Sequence, residues 1–400
     1  MILLLLLFTS LIGLIVYWIL LRRAVKEIPQ LSRLENEISN GFLDLKFPKV
    51  SVIIPAYNEA DNIEDCIRSV LDSTRLSSDN LEVWVIDDQS TDNTFKILQN
   101  FQQYRQDPRL KILPGLDRPE AEIWTGKNWA CAQGAKCSKG EFLVFIDADI
   151  RLKSGAIERV VLEAIVKEID FLNCIPAIIC GCIAEWLIQP LIFINLLISF
   201  NSRIVKNPKT DTAYAAGFFM LFKRSAYEEI QGHQAVASYV AEDVALARLI
   251  KKRHFKIGYR LGANIATLRM YTSWTTLWEG WTKVLYVGAQ RNLIIILCLA
   301  LVMLIIYTIP WIGLIINFTK ISLINIETID LYILTVIMID IIIQYKLRKL
   351  LIKALNLPPK YWWLNGLGGL ILATIAVVSF IKTETGWGWT WRSRSLKQCR

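Results

Sequence analysis

The sequence predicts an α/β domain with a mainly parallel sheet, joined in one chain to α-helical transmembrane segments. Composition is the first reason, because 54% of the 400 residues are hydrophobic and only 20% are charged, whereas soluble globular chains average about 25% charged residues. Charge distribution is the second reason, since residues 2–21, 292–318 and 361–381 contain no charged residue. The third reason is an alternation of strand-like and helix-like segments within residues 50–150, which is typical of a parallel sheet.

The same numbers exclude intrinsic disorder, a collagen-like fold and a small disulfide scaffold. The net charge of +9 does not indicate a nucleic-acid partner, because much of the basic excess lies beside apolar segments, where it suits anionic lipid head groups. These basic residues are Arg22, Arg23, Lys26, Lys346, Arg348, Lys349, Lys353, Arg392, Arg394, Lys397 and Arg400. The eight cysteines show no zinc-binding spacing, which favours a reducing compartment.

The N-terminal segment is predicted to be a membrane anchor rather than a cleaved signal. Residues 2–21 are apolar apart from Thr9 and Ser10 and are long enough for a helix that crosses a bilayer, so the anchor is assigned to residues 1–21. They lack both a basic region before the apolar run and a small-residue cleavage site after it. Arg22 and Arg23 follow at once. We therefore expect a juxtamembrane linker at residues 22–47 and a globular domain at residues 48–291, both on the cytoplasmic side.

Short apolar segments rich in β-branched residues predict strands at residues 50–54, 83–86, 110–113 and 142–146. Helices are predicted to begin at residue 61 and to cover residues 91–104 and 127–137. The first helix is expected to start at Asp61 with a capping box to Glu64. Its buried face is predicted to consist of Ile63, Ile67, Val70 and Leu71.

Acidic and polar residues stand at the carboxyl ends of three predicted strands. They are the loop at residues 55–59, the pair Asp87 and Asp88, and the closely spaced Asp147 and Asp149. Ligands of open α/β sheets bind beyond the carboxyl ends of the strands. A turn could direct Asp147 and Asp149 toward one ion, and oxygen ligands select Mg²⁺ or Mn²⁺. The alternative is that the aspartates serve only as turn residues.

Five segments occur in an order that resembles the family 2 glycosyltransferases, which are inverting enzymes of the Rossmann-like GT-A fold. In chain order they read VSVIIPAYNEADNI, VIDDQSTDNT, TGKNWACAQGA, FIDADI and VAEDVALA. The resemblance covers residues 48–291. Two further segments, AAGFFMLFKRSAYEEIQGH and RMYTSWTTLWEGWTK, resemble a membrane-bound bacterial subgroup. That subgroup includes hopanoid-associated and carotenoid-modifying glycosyltransferases and is a distant relative of ceramide glucosyltransferase.

The resemblance implies a binding site for a nucleotide-sugar donor. The residues of the loop that would hold the base and the ribose are Pro55, Tyr57, Asn58 and Glu59. The Asp88 carboxylate would accept a hydrogen bond from a uracil ring. Lys127 would lie near the base or the phosphates.

The resemblance also implies a metal site and a general base. Asp147 and especially Asp149 would hold the Mg²⁺ or Mn²⁺ that offsets charge on the departing nucleoside diphosphate. Asp243, in the pair Glu242-Asp243, would deprotonate the acceptor hydroxyl as it attacks. The alternative for this pair is a helix N-terminus, where acidic residues stabilise the helix dipole. Both uses are compatible.

One motif of many membrane-embedded relatives, QxxRW, does not occur here. Its place is taken by the segment from Glu279 to Lys283, with Arg269 upstream. Arg269 and Lys283 could offer cations to the diphosphate, or they could serve as juxtamembrane anchors. The missing motif argues against a processive polysaccharide synthase.

An apolar segment at residues 174–200 is interrupted by Glu185, Gln189 and Pro190. We expect it to form a helix at the bilayer surface rather than a span.

Residues 292–381 predict two or three spans, followed by a basic tail at residues 382–400. The span at residues 321–345 is the poorest, because it contains Asp340. An intramembrane carboxylate indicates a functional site by default, although Asp340 at the end of this span would simply face water. The basic tail favours a cytoplasmic C-terminus, so one later segment is expected to be re-entrant or interfacial.

Together these features predict a multi-pass enzyme of the cell membrane with a cytoplasmic catalytic domain. We expect it to move a sugar from a nucleotide-sugar, a UDP-hexose, to the hydroxyl of a membrane lipid, with inversion and with a divalent cation. The alternatives are a polyprenyl-phosphate glycosyltransferase and a catalytically inert membrane scaffold. A transporter or channel has little support, and no phosphate-binding GxxxxGK[ST] motif occurs.

Overall fold

The structure is a computed structural model that describes residues 2–31, 47–119, 122–200, 210, 213–323, 327–396 and 399. Most of the predicted linker at residues 22–47 lies outside the described residues, as do Lys397 and Arg400 of the predicted tail. Contacts divide the chain into two compact units. The helical unit comprises Met1–Glu27, Cys180–Ser202 and Met270–Lys397. The sheet unit comprises Ile28–Ile179, Arg203–Arg269 and Gln398–Arg400.

The α-helices are, in chain order, α1 Ile2–Glu27, α2 Ile63–Asp72, α3 Thr94–Arg105, α4 Gly126–Cys137, α5 Ala156–Val166, α6 Ile183–Phe200, α7 Arg224–Glu229, α8 Glu242–Lys252, α9 Trp274–Gly288, α10 Leu293–Met303, α11 Ile309–Leu323, α12 Thr328–Leu355 and α13 Asn365–Thr385. Short 3₁₀ helices cover Gly232–Val236 and Trp362–Leu364, and a π-helical turn covers Leu304–Thr308. The strands are β1 Val50–Ala56, β2 Leu81–Asp87, β3 Leu110–Pro114, β4 Phe142–Ile146, β5 Ile150–Leu152, β6 Phe171–Ile178, β7 Phe219–Lys223, β8 Ile257–Leu268, β9 Thr390–Trp391 and β10 Arg394–Ser395.

The sheet unit is built on one sheet of eight described strands in the order β3-β2-β1-β4-β7-β6-β8-β5. Strands β1 to β4, β6 and β8 run in the same direction, and only β5 and β7 run against them. The carboxyl ends of the parallel strands therefore lie at one edge, which confirms the predicted mainly parallel sheet. The β1–β2 register pairs Ala56 with Asp87, so the loops after both strands start side by side.

The four predicted strands and the helical face of α2 are confirmed. Each of the four strands forms, with ends extended by at most two residues, and the four apolar side chains predicted to face the core from α2 are all buried. The predicted start of this helix is wrong. Asn62 is the N-cap and makes no side-chain capping bond. The carboxylate of Glu64, which was expected to close a capping box with Asp61, pairs instead with Arg68 one turn further on.

Within the part of the chain that the structure describes, five helical segments are long and apolar enough to cross a membrane: Ile2–Glu27, Ile183–Phe200, Leu293–Lys320, Thr328–Leu355 and Trp362–Thr385. The predicted helix at residues 174–200 begins only at Ile183, because the apolar residues before it form β6. A buried strand and a buried helix both read as continuous apolar sequence. The predicted span at residues 321–345 is likewise displaced, since α12 runs from Thr328 to Leu355.

This displacement changes the environment of Asp340. The side chain lies near the middle of α12 and is 0% exposed, so the expectation that it faces water at a helix end is wrong. Four residues further on, Gln344 donates to the carbonyl of Ile306 at 2.8 Å. That carbonyl lacks its usual helical partner because Pro310 has no N–H. Polar side chains of α12 thus face the interior of the helical unit.

Candidate active site

Two loops at the carboxyl edge of the sheet are fastened together by side-chain hydrogen bonds. Asn58, after β1, adopts a left-handed conformation with φ 53°. Its backbone N–H donates to Ser90 Oγ at 3.0 Å, and its Oδ1 accepts from the Thr91 N–H at 2.8 Å. The Glu59 N–H donates to Thr94 Oγ1 at 2.8 Å. Tyr57, Asn58 and Glu59 are therefore held in one conformation against the loop after β2. Pro55, which was predicted to belong to the same loop, lies within β1 and pairs with Ile86 of β2.

Asp88 lies at the start of this second loop and is buried, with 3% of its surface exposed. Its N–H donates to the Ala56 carbonyl at 2.7 Å, which places it beside the end of β1. Arg118 Nη2 lies 3.0 Å from Asp88 Oδ2. Sequence reasoning missed Arg118, which follows β3 without any recognisable motif. The ion pair with Arg118 orients the Asp88 carboxylate.

Asp147 and Asp149 lie in a turn, as the sequence predicts. The Ile150 N–H donates to the Asp147 carbonyl at 3.2 Å, and Arg151 Nη1 donates to the Ala148 carbonyl at 3.1 Å. Burial raises the pKa of the neighbouring Cys66 thiol, and the carboxylates of Asp149, Glu59 and Asp147 add to this effect. The three carboxylates are thus close to one side chain of α2. The turn after β4 and the loop after β1 share one region of the sheet edge.

Lys127 joins this turn to the start of α8. Its Nζ lies 2.7 Å from Asp147 Oδ1 and 2.9 Å from Glu242 Oε1. Burial opposes the charged form of Lys127, but the two carboxylates raise its pKa well above the ordinary value. Burial likewise opposes ionisation of Glu242, yet the ammonium of Lys127 lowers the pKa of this carboxyl. Lys127 and Glu242 are therefore both charged at neutral pH.

Asp243 lies beside Lys127 and Glu242 and is held in place by two backbone N–H donors. The Gly217 N–H donates to Asp243 Oδ2 at 2.7 Å, and the Val244 N–H donates to Oδ1 at 2.8 Å. Burial and the negative charge of Glu242 raise the pKa of Asp243 to about 7, although Lys127 acts in the opposite direction. The two neighbouring carboxyls thus have different proton affinities, which is the usual condition for acid–base work by one of them.

Lys127, Asp147, Glu242 and Asp243 form one charged cluster. Two residues next to this cluster carried no sequence signal. Asn128, which is 0% exposed, donates through Nδ2 to the carbonyls of Val236, Ala237 and Tyr239 at 2.7, 3.0 and 3.0 Å. It thereby ties the helix of Lys127 to the segment that leads into α8. The buried imidazole of His233 has its Nδ1 2.8 Å from the Tyr227 hydroxyl, and burial lowers the pKa of His233 to about 3.

The remaining two cation candidates lie in different units. Arg269 follows Leu268, which pairs with Ile150 across the β5–β8 ladder. It therefore leaves the sheet at the edge where the Asp147–Asp149 turn lies. Lys283 belongs to the helical unit, where its Nζ lies 3.8 Å from the centre of the Trp391 ring.

The two carboxylates of the Asp147–Asp149 turn could bind a divalent cation only if a substrate and water supplied the remaining coordinating oxygens. Among the described residues, no group of three or more His, Cys, Asp or Glu side chains could hold a metal ion. Mg²⁺ is commonly bound through one or two carboxylates plus substrate phosphates and water. Asp147 and Asp149 could thus serve as the protein ligands of a cation that is also bound by phosphate groups of a substrate.

Comparison with known proteins identifies the family of one part of the chain. Residues 51–231 match the family model described as glycosyl transferase family 2. The chain carries a family 2 glycosyltransferase domain. This confirms the family resemblance, and the two loops, the acidic turn and Lys127 all lie within the matched residues.

Curated proteins that are similar to this chain carry different names. A 4,4'-diaponeurosporenoate glycosyltransferase of Staphylococcus haemolyticus is 26% identical over 246 residues, which is 61% of this chain and 62% of the relative. A chondroitin synthase of Pasteurella multocida is 32% identical over 137 residues, which is 34% of this chain and 13% of the relative. The chain thus spans less than two thirds of the length of either relative.

The fold of the family 2 domain also has a solved counterpart. A mannosyltransferase from Pyrobaculum calidifontis, in complex with GDP-Man and Mn²⁺, superposes with a TM-score of 0.52 and 16% identity, covering 95% of this chain and 97% of that one. The similarity confirms the predicted GT-A architecture.

Proposed function

We propose that the protein is a membrane-bound inverting glycosyltransferase that moves a sugar from a nucleotide donor, a UDP-hexose, to the hydroxyl group of a membrane lipid. The observation that carries the proposal is the Lys127 ion pair, which brings the acidic turn and the first residues of α8 together at the carboxyl edge of the sheet. That edge is where donors bind in open α/β sheets.

The donor half of the site is assigned to the fastened loops. Pro55, Tyr57, Asn58 and Glu59 would contact the base and the ribose, and Asp88 would accept a hydrogen bond from the base. A bound divalent cation would neutralise the diphosphate as it leaves. Asp147 and Asp149 would hold this cation, and Arg269 would lie near enough to add positive charge.

The acceptor half is assigned to Asp243. Its raised pKa of about 7 makes its carboxylate a stronger base than that of Glu242, whose pKa is lowered. Two backbone N–H donors fix its orientation. Glu242 would act through Lys127, by holding the ammonium between the two halves of the site.

A lipid acceptor is supported by two observations. The described residues include five helices that are long and apolar enough to span a bilayer. Several relatives are named for an acceptor, 4,4'-diaponeurosporenoate. We place the protein in the cell membrane as a multi-pass protein whose sheet unit faces the cytoplasm, where nucleotide sugars are made.

The direct test is donor turnover by the purified full-length protein. We expect consumption of a UDP-hexose that requires Mn²⁺ or Mg²⁺ and an added lipid alcohol, and a product whose anomeric configuration is inverted. GDP-mannose and polyprenyl phosphate serve as the comparison donor and acceptor. Transfer to soluble saccharides but never to lipids would eliminate the proposal. If the protein bound neither UDP nor Mn²⁺, an inert scaffold would be favoured.

The assignment of Asp243 as general base predicts how the rate of sugar transfer depends on pH. Asp243 must be ionised to accept a proton, so we expect the rate at saturating donor to rise between pH 6 and pH 8 with an apparent pKa of about 7. In Glu242→Gln, the loss of the neighbouring negative charge should move this profile toward lower pH. A flat profile from pH 5.5 to 8.5 in both proteins would contradict the assignment.

A substitution at Gly217 should disturb the cluster without removing any charge. A Cβ there would lie 2.9 Å from Lys127 Nζ, 3.2 Å from Glu242 Oε1 and 3.3 Å from Asp243 Oδ2. Since small displacements of catalytic groups cost up to about 100-fold in rate, we expect Gly217→Ala to lower turnover about 10- to 100-fold. Gly288→Ala, where a Cβ meets nothing within 4 Å, is the matched control. Equal rates for both variants would refute the prediction.

A further inference from the structure

Arg248 has one edge of its guanidinium group buried without a partner. It lies on α8, five residues after Asp243. Its Nε and Nη2 atoms are inaccessible to solvent, and neither has a hydrogen-bond partner among the described residues. No ion pair joins Arg248 to a described carboxylate. The residue as a whole is partly exposed, so the guanidinium lies at the boundary between the interior and the solvent.

The chemistry of this edge indicates an anionic ligand. Nε–H and Nη2–H are the parallel donors with which arginine binds a carboxylate or phosphate through two hydrogen bonds. An arginine on a helix surface normally extends into water. A charged donor that is buried and unpaired is costly, because it loses its hydration without compensation. An oxyanion with two oxygens would satisfy both donors at once.

The surroundings connect Arg248 to the acceptor side of the site. Burial lowers its pKa, and the phenols of Tyr214 and Tyr239 interact electrostatically with the guanidinium in the opposite sense. Tyr214 lies three residues before Gly217, which donates to Asp243. Tyr239 lies four residues before Asp243, and its backbone carbonyl accepts a hydrogen bond from Asn128 Nδ2. Both tyrosines thus belong to segments that converge on Asp243.

We propose that the Nε–Nη2 edge of Arg248 binds the acid group, a carboxylate or a phosphate, of the lipid acceptor, with Tyr214 and Tyr239 beside it. The proposal rests on the proposed function and narrows its acceptor from lipid alcohols in general to lipids that carry an anionic oxygen group. Arg248 would determine acceptor specificity and take no part in donor binding.

The test measures lipid binding separately from transfer. Radiolabelled oleate is retained on the immobilised, detergent-solubilised full-length protein, and unlabelled oleate, oleyl phosphate or oleyl alcohol is added as competitor. We expect both anionic lipids to compete better than the alcohol, and their order to tell a carboxylate site from a phosphate site. Because a charged hydrogen bond contributes about 1.5–3 kcal/mol, Arg248→Gln should weaken oleate binding about 10- to 100-fold, and Arg248→Lys should restore only part of the loss.

Arg253→Gln is the matched control, because it removes the same charge from an exposed position just after α8. UDP binding verifies that each variant is folded. Oleate binding by Arg248→Gln equal to that of wild type, or equal competition by oleyl alcohol, would overturn the inference. If oleate binding depends on Arg248 but no lipid receives sugar, the site stands and the proposed function fails. If a lipid alcohol receives sugar with the same KM in wild type and Arg248→Gln, and oleate does not bind, this inference alone fails.

Discussion

Replacement of Asp243 by Asn is expected to lower sugar transfer by about 10²–10⁴-fold, the usual contribution of a general base. UDP affinity should stay within a few-fold of wild type, because Asp243 acts on the acceptor. An amide has one acceptor oxygen where the carboxylate has two, so the variant would lose one of the bonds from Gly217 and Val244. A modest loss of stability is therefore expected as well, and transfer must be compared below the unfolding temperature of both proteins.

Asp170→Asn is the matched control for that experiment. Asp170 also accepts a backbone N–H, from Lys256 at 2.9 Å, but it lies in the turn before β6, away from the cluster. If Asp243 only stabilised the start of α8, the two variants would show similar small losses of stability and near-wild-type transfer. Such a result would move the base to another residue, with Glu242 the next candidate.

Replacement of Asp149 by Asn is the second change with a large expected effect. It keeps the size of the side chain and removes a negative charge, so metal-dependent UDP binding should weaken at least about tenfold. Transfer should fall about 100-fold or more, since a catalytic cation supplies several kcal/mol of charge stabilisation. The measurement is a titration of UDP binding with Mn²⁺, monitored by calorimetry, together with the initial rate of transfer.

The control for this variant is Asp72→Asn, a surface aspartate that pairs with Arg105 at the end of α2. It should bind UDP with the Mn²⁺ dependence of wild type. Unchanged Mn²⁺-dependent UDP binding by Asp149→Asn would show that the acidic turn is not the metal site. An increase in the Mn²⁺ concentration required, with the maximal rate retained, would indicate that Asp149 contributes to metal affinity but not to the rate of transfer, which would contradict the predicted fall in rate.

The parallel half of the sheet could be predicted from the sequence because its signals are local. A short apolar run between turn residues specifies a strand, and β4 has the predicted bounds. Strands β6 to β8 gave no comparable signal. The apolar residues of β6 run almost directly into α6, and continuous apolar sequence does not distinguish the two states. Strand β7 pairs with β4 across 72 or more intervening residues, a contact that no local pattern encodes.

The residues of the candidate site likewise fall into those that the sequence predicts and those that it does not. Asp88, Asp147 and Asp149 could be proposed because they follow strands, and the edge of the sheet gathers them. The contacts of Lys127 join residues that are far apart in sequence, and Gly217 matters through its backbone and its missing side chain. Arg118 and Arg248 are ordinary arginines in the sequence. Only their partners, or the lack of them among the described residues, distinguish them.

The amide of Asn128 has a consequence for how this protein can vary among its relatives. One nitrogen with two hydrogens serves three carbonyls, of Val236, Ala237 and Tyr239, so the chain between them must curve around a single point. The identities of these residues are unconstrained by such bonds, but the number of residues is fixed. We therefore expect homologues that keep the asparagine to differ freely in composition over this segment and to carry no insertion or deletion within it.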